Sequence, residues 1–375
     1  MTQPATTIEP RSRRERVRSV GLDPDYWYAV EHGHAVRPGQ VVEVTFWGES
    51  IALYRGADGR LRALENRCAH RQLKLSLGEV TDCTLTCAYH GWSYADDGRL
   101  AAIPHDLFGR PFPSVQLRAY PVRVRYGLVW LFPGDPALAD QRAIPDIPEL
   151  EGPDRWACVP IDFRWQAHHS LIIDNVSDFT HAWLHRKYQP FVDAKLTHCE
   201  ALGDRVLLTY ETQIGMGRIS RLFVDRRRVR TDSIQLGYEY PYQWSDTGGK
   251  IKHWCFVLPV DPRTTRVFFL FYFESLKIPL TPFRIPRRLM TLALRLSNRF
   301  LIQPLLRQDG FAVEAEQEGH ERHPRQPAPD LNPAVALFQQ LTLRKWEEHL
   351  ARAGTRPGPR PPARPEQSRA QPARP

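Results

Sequence analysis

An α+β chain is predicted: a small all-β N-terminal domain, then an α+β domain with an antiparallel sheet and several helices. Three observations predict it. Short β-rich runs separated by Asp-Gly turn signals fill the first third of the chain. Pro133, Pro136, Pro145 and Pro148 then punctuate a stretch that reads as a linker. Beyond it, longer strand-like runs are followed by segments with helical periodicity, the order expected of an α+β unit. At 375 residues the chain is long enough for two such domains.

Taken in order, Val41–Phe46 and Ser50–Tyr54 are β-rich, and "RGADGR" supplies a hairpin turn before Leu61–Leu64. The Asp-Gly signal returns at Asp97–Gly98, and Tyr126–Phe132 is a further strand. Asp162–Ala167 reads as a strand and Leu171–His185 as the first long helix. "RVLLTYETQI", "HWCFVLPV" and "RVFFLFYF" predict strands within residues 203–275. Residues 286–306 read as a helix with a basic flank, which Pro304 should bend or end, and residues 332–350 as a last amphipathic helix. The predicted organisation is a disordered basic tail at 1–20, a β domain at 21–150, an α+β domain at 151–350 and a disordered Pro/Arg-rich tail at 351–375.

The formal charge of +9 sits mostly in the ends. Residues 1–20 contribute +3 and residues 351–375 contribute +5, leaving +1 for the body. That disfavours a nucleic-acid-binding body, which needs positive charge concentrated on the folded surface. The longest unbroken apolar run, Val267–Phe273, is far too short to span a bilayer. The Arg-rich start has no apolar segment behind it, so a secretory signal is not expected and a cytoplasmic location is. Of six cysteines, Cys68, Cys83 and Cys87 cluster, which fits an intracellular metal site better than a disulfide framework.

The richest stretch is "NRCAHRQLKLSLGEVTDCTLTCAYHGWSY". Cys68-x-His70 and Cys87-x-x-His90 put one Cys and one His on each of two short loops. Zinc and a [2Fe–2S] cluster both accept such donors. Zinc fingers usually pair like with like, whereas two mixed loops can give both thiolates to one iron and both imidazoles to the other, as in Rieske ligation. Cys83 lies outside the pattern and reads as a buried small hydrophobe.

Residues 25–135 resemble the Rieske domain of the Rieske non-heme iron oxygenases, through "CAHRQLKLSLGEV" and "CAYHGWSYADDGRL". A second region separates an oxygenase from a plain electron carrier. In "LIIDNVSDFTHAWLHRKY", Asn175, Asp178, His181 and His185 fall at helical spacing and share one helical face. Two His four apart, with a carboxylate from elsewhere, can form the facial triad of non-heme Fe(II) oxygenases. "NVSDFTHAWLH" is similar to the family's Asn-x-x-Asp-x-x-His helix, and its His-x3-His spacing looks like the carbazole-dioxygenase-type branch. "LLRQDGFAVEAEQEG" matches the family's Asp-x4-Glu pattern and puts the third ligand at Asp309, with Glu314 and Glu316 as competitors. Gln308 and Gly310 depart from the commoner neighbours. His168 and His169 precede the pattern and read as pocket-lining or structural.

The resemblance implies a terminal oxygenase that uses O2 to hydroxylate, dealkylate or desaturate an organic, hydrophobic or aromatic substrate. No nucleotide fingerprint or second cysteine cluster is present, so electrons must come from an external ferredoxin or NAD(P)H-dependent reductase. The resemblance also implies a homotrimer in which Asp178 bridges His90 of one subunit to an iron-ligand histidine of the next. Competing readings are a Rieske-type electron carrier and a metal-dependent binding protein. In residues 286–306, arginines alternate with Leu, Met and Phe. That pattern reads either as a core helix with solvated arginines or as a lid or membrane-surface helix.

Overall fold

Alternating apolar residues and tight turns build the N-terminal half from short strands. The computed structural model describes residues 12–152, 156–188, 190–214, 230–249, 251–275, 284–324, 326, 329 and 331–355. Strands β1 (Tyr28–His32), β2 (Val41–Phe46), β3 (Glu49–Arg55), β4 (Leu61–Glu65), β5 (Glu79–Thr81), β6 (Thr84–Thr86), β7 (Ser93–Tyr94), β8 (Leu100–Ala102), β9 (Ala119–Tyr120), β10 (Val122–Arg125) and β11 (Leu128–Leu131) form three small sheets. Their orders are β1-β11-β10, β2-β3-β4-β9 and β5-β6-β7-β8. The last sheet has its own small core of Leu75, Leu85, Tyr94 and Leu100, which surrounds Cys68 and Cys87.

The second half is one seven-stranded antiparallel sheet. Its strands are β12 (Ala157–Trp165), β13 (Phe191–Leu202), β14 (Arg205–Ile214), β15 (Arg230–Glu239), β16 (Tyr242–Thr247), β17 (Ile251–Asp261) and β18 (Thr264–Phe273), in the order β12-β18-β17-β16-β15-β14-β13. Strand β13 follows no signal noted in the sequence, because its exposed face carries Lys195, Thr197 and Glu200. By contrast, β18 is buried along nearly its whole length, which explains its unbroken apolar run. Arg266 on β18 bonds Asp162 at 2.9 Å and Glu31 at 2.8 Å, tying β1 to the large sheet.

Helices pack around this sheet: α1 (Arg13–Val17), α2 (His169–Ser177), α3 (Arg287–Ser297), α4 (Gln303–Arg322) and α5 (Pro333–Thr355). Three expectations need correction. Residues 12–20 are not a disordered tail: Ser12 and Glu15 form a capping box, and Val17 is buried. Residues 1–11 and 356–375 lie outside the described residues, and 351–355 continue α5. The Pro133–Pro148 stretch is more than a spacer, since Ala139, Ile144 and Ile147 are buried in the main core. Pro304, expected to bend or end its segment, stands in the first turn of α4 and does not end it. A five-residue π-helical turn, Asn298–Ile302, opens the backbone just before α4, which accommodates the proline's missing N–H and bulky ring. Among the described residues, no helix is long and apolar enough to cross a membrane.

Candidate metal centres

The loop between β4 and β5 and the turn between β6 and β7 bring Cys68, His70, Cys87 and His90 together. Cys68 and Cys87 are buried, and their thiols lie close enough to interact. The His70 and His90 rings stand 4.5 Å apart, edge to face, and His70 stacks on Trp92 at 4.8 Å. Gly91 has φ +68, and a Cβ there would come within 2.7 Å of Pro104, so the loop requires glycine.

The sulfurs are surrounded by donors. Backbone N–H groups of Tyr89 and His90 face Cys87. The Tyr94 hydroxyl accepts from the Ala69 N–H at 3.0 Å, which frees its own proton for Cys68 Sγ at 3.3 Å. Burial pushes the Cys87 thiol up, and neighbouring Cys68 pushes it further. A cationic metal group reverses that cost, since it binds thiolates outright. His90 Nδ1 is buried without a hydrogen-bond partner among the described residues, as a ligand nitrogen would be. The donor set therefore fits a [2Fe–2S] cluster. Cys83 is only half buried, with its thiol toward Asp58 rather than in the core, which corrects the expectation of a buried hydrophobe.

The second centre is assembled from distant parts of the chain. Helix α2 stops at Ser177, because Asp178 Oδ1 accepts from the Thr180 N–H at 2.9 Å and hydroxyl at 2.6 Å. This local bonding competes with the helix, so Asp178 is extended and His181 begins a short 3₁₀ turn. The expectation of one continuous helical face is thus wrong, yet His181 and His185 still converge. His181 Nε2 lies 3.5 Å and His185 Nε2 3.2 Å from Asp309 Oδ1, contributed by α4. Asn175 Nδ2 reaches the same oxygen at 3.4 Å. Gly310 lets α4 approach this closely, as a Cβ there would meet Trp165 at 2.4 Å.

The electrostatics suit a cation. Asp309 is buried. Burial lowers His181 and outweighs the opposing pull of Asp309, so its imidazole stays neutral and able to coordinate. For His185, burial also lowers the pKa, but Asp309 dominates and the net direction is upward. His185 Nδ1–H donates to Gln308 Oε1 at 2.9 Å, leaving Nε2 as the free donor atom. Phe191 stands edge-on to both imidazoles, at 5.5 and 5.7 Å. Two imidazoles and one carboxylate match the facial set for Fe(II).

Neighbouring candidates fall outside the centre. Glu314 accepts from the Gln166 N–H at 2.8 Å, and Glu316 pairs with Arg18 at 2.6 Å. The His168 ring caps α2, and His168 and His169 both donate to the Val20 carbonyl, which makes them structural. Sequence reasoning missed Asn332, which donates to Asp178 Oδ1 at 2.9 Å, and the use made of Gln308. Nothing in the spacing links Asn332 to Asp178, and Gln308 stood out only as a departure from pattern.

Residues 26–113 match the model for the Rieske [2Fe-2S] domain, and residues 165–353 match that for the vanillate O-demethylase oxygenase C-terminal domain. The chain is 45% identical over 354 residues to a 4β-methylsterol monooxygenase of Methylococcus capsulatus, covering 93% of this chain and 96% of that protein. This chain is a Rieske non-heme iron oxygenase. The oxygenase is also 38% identical to the vanillate O-demethylase oxygenase subunit of a Pseudomonas species, over 42% of this chain and 48% of that one. Its fold matches crystalline dicamba monooxygenase bound to dicamba with a TM-score of 0.71 at 20% identity, covering 89% of this chain and 99% of that one. As a terminal oxygenase component it carries a Rieske cluster and a non-heme iron, and it uses O2 and externally supplied electrons to oxidise an organic substrate.

Proposed function

We propose that the oxygenase is a monooxygenase of a methyl group on a sterol or related polycyclic lipid. The observation that carries this is the likeness to a methylsterol monooxygenase along nearly the whole chain, catalytic half included. The surroundings suit an apolar substrate, for Phe163, Trp165, Phe269 and Phe271 form one contiguous aromatic group on the large sheet. The balanced reaction takes a methyl group, O2, two electrons and two protons to a hydroxymethyl group and water.

In this reading Cys68, His70, Cys87 and His90 hold the cluster, and His181, His185 and Asp309 hold the iron. The bound iron supplies oxygen activation, and the chain's own residues orient it. Gln308 fixes the ring of His185, and Asn175 restrains Asp309. Asp178 has one oxygen occupied by Thr180 and Asn332. Its other oxygen is available to a histidine N–H of a neighbouring subunit. A cavity of about 700 Å³ is lined by Asp178, Asn175 and His181, giving such a neighbour room. Exposed Tyr89 against His90, and exposed Trp183 and Leu331 near Asp178, supply apolar surface at both ends of that route. These features support a homotrimer with electron transfer between subunits.

The same reading places the protein in the cytoplasm, with a separate ferredoxin or reductase as donor. It includes contact with a membrane surface along residues 286–306, where so insoluble a substrate resides. The test is reconstitution with a surrogate reductase and ferredoxin, offering 4-methylsterols beside methoxylated aromatic acids. Gain of one oxygen on the sterol, detected by mass, is the expected result. Turnover of the aromatic ethers alone would overturn the substrate class.

A further inference from the structure

From Ser275 to Gln308 the chain has no Asp or Glu and seven Lys or Arg. In a body whose net charge is only +1, that concentration falls mostly on α3 and the π-helical turn after it. Met290 and Leu294 face inward against the sheet and are buried. Another face is apolar yet open: Leu289, Leu292, Leu296 and Phe300 are 57%, 55%, 54% and 65% exposed. They recur at three- and four-residue steps, so they form one stripe along the helix. Arg288, Arg295 and Arg299 are exposed and run as a row along one margin of that stripe. Among the described residues, none of these three arginines has an ion-pair partner.

An amphipathic helix wholly inside a protein buries its apolar face and solvates its basic one. Here a second apolar face is left out, beside the cations. Water is a poor match for the stripe, and an acidic protein surface is a poor match for four large apolar side chains in line. An anionic bilayer satisfies both, since lipid phosphates meet the guanidinium row while the acyl boundary takes the leucines and phenylalanine.

We propose that α3 is a peripheral anchor for an anionic lipid bilayer. Leu289, Leu292, Leu296 and Phe300 dip below the headgroups, and Arg288, Arg295 and Arg299 pair with lipid phosphates. This rests on the membrane contact included in the proposed function and gives it a lipid charge and an orientation. It also places α4, which carries Asp309, directly beyond the membrane-facing segment, so a lipophilic substrate enters on the bilayer side.

The test is sedimentation of the full-length holoenzyme with phosphatidylcholine vesicles, with and without phosphatidylglycerol, in the absence of sterol. Binding is expected with phosphatidylglycerol, weakening as salt is raised. Two double variants, Leu292→Ser with Leu296→Ser and Arg295→Glu with Arg299→Glu, should each weaken it about tenfold or more. Both should keep the cluster spectrum and melting temperature of the parent. Absence of binding, or equal binding by parent and variants, overturns the proposal. Loss of oligomers in the serine variant with no change in vesicle binding overturns it in favour of contact with a second copy. Because no substrate is present, failure here leaves the sterol reading standing, and failure of sterol turnover leaves the anchor standing.

Discussion

The two metal-binding regions solve the same problem by opposite routes. All four proposed cluster ligands fall between Cys68 and His90, on two short loops that pack around their own small core. The proposed iron ligands span His181 to Asp309 and need an interrupted helix, a 3₁₀ turn and a second helix to meet. A local site needs only loop geometry, so its chemistry is written in adjacent residues. A site built across the fold needs supporting residues such as Gln308, Asn175 and Asn332 to hold its ligands in place.

The sharpest break between the two regions is the loss of one metal without the other. Cys87→Ser should abolish the cluster's visible absorption and its Rieske paramagnetic resonance signal, because a serine oxygen is a poor substitute for a thiolate. An intact signal would refute the quartet. His185→Ala and Asp309→Ala should do the reverse, keeping the cluster spectrum while losing the third iron and all product. Glu314→Ala should keep both, since Glu314 is engaged with the Gln166 backbone. If it loses the iron instead, the third ligand is misassigned.

Asp178 tests whether the two regions communicate. Asp178→Asn retains an oxygen for the Thr180 and Asn332 bonds, so the local turn should survive. It replaces the other acceptor oxygen by an NH₂ group, which cannot accept from a histidine N–H. Turnover should fall about 10- to 100-fold, with both metals bound, as for other ligand-orienting carboxylates. Cluster reoxidation in a single turnover at the parent's rate would exclude the bridging role.

This contrast also explains what was legible in the sequence. The grouping of the quartet and the antiparallel sheet follow from short patterns, mixed Cys–His loops and apolar strand runs, whereas the expectation that Asp309 lies beside the two histidines came from the family resemblance of its Asp-x4-Glu segment. The break at Asp178 was not legible, because helical spacing is blind to an Asp that bonds its own downstream backbone. Val17 and the capped α1 were hidden for a related reason. Ser12-x-x-Glu15 is a local capping box, but the docking of α1 through Arg18 and Arg14 on Glu316 is a contact no local pattern reports. Strand β13 escaped because an edge strand with one wet face carries few apolar residues.

The regions should also differ in acid. His169 is fully buried, and burial pushes its pKa down to about 4. Its Nε2–H donates to the Val20 carbonyl, and its Nδ1 has no acceptor within reach among the described residues for a second proton. The unfolded chain takes up that proton near pH 6.5. The stabilisation is therefore complete above pH 6.5 and is lost as pH falls toward 4, on the order of 3 kcal/mol in all. Denaturant midpoints at pH 7, 6 and 5 should drop for the parent and drop less for His169→Gln. Parallel slopes would show that this histidine does not carry the effect.

The smallest effect should come from Gln308, and it bears most directly on the difference between local and assembled sites. His185 can coordinate through Nε2 only if its proton resides on Nδ1, and Gln308 Oε1 at 2.9 Å is what accepts that proton's hydrogen bond. His181 has a different partner, the Asp178 backbone carbonyl, so the two ligands are oriented independently. Gln308→Leu should leave the fold and the cluster unchanged but weaken Fe(II) binding about tenfold, the lower end for such supporting residues. Gln308→Glu restores an acceptor at the same place and should recover most of the affinity. Metal titration of the apo mononuclear site, with Co(II) as a spectroscopic stand-in, separates the two variants without relying on turnover. If leucine and glutamate bind Co(II) alike, ring orientation is set by packing against Phe191 instead, and the assembled site needs less polar support than its geometry indicates.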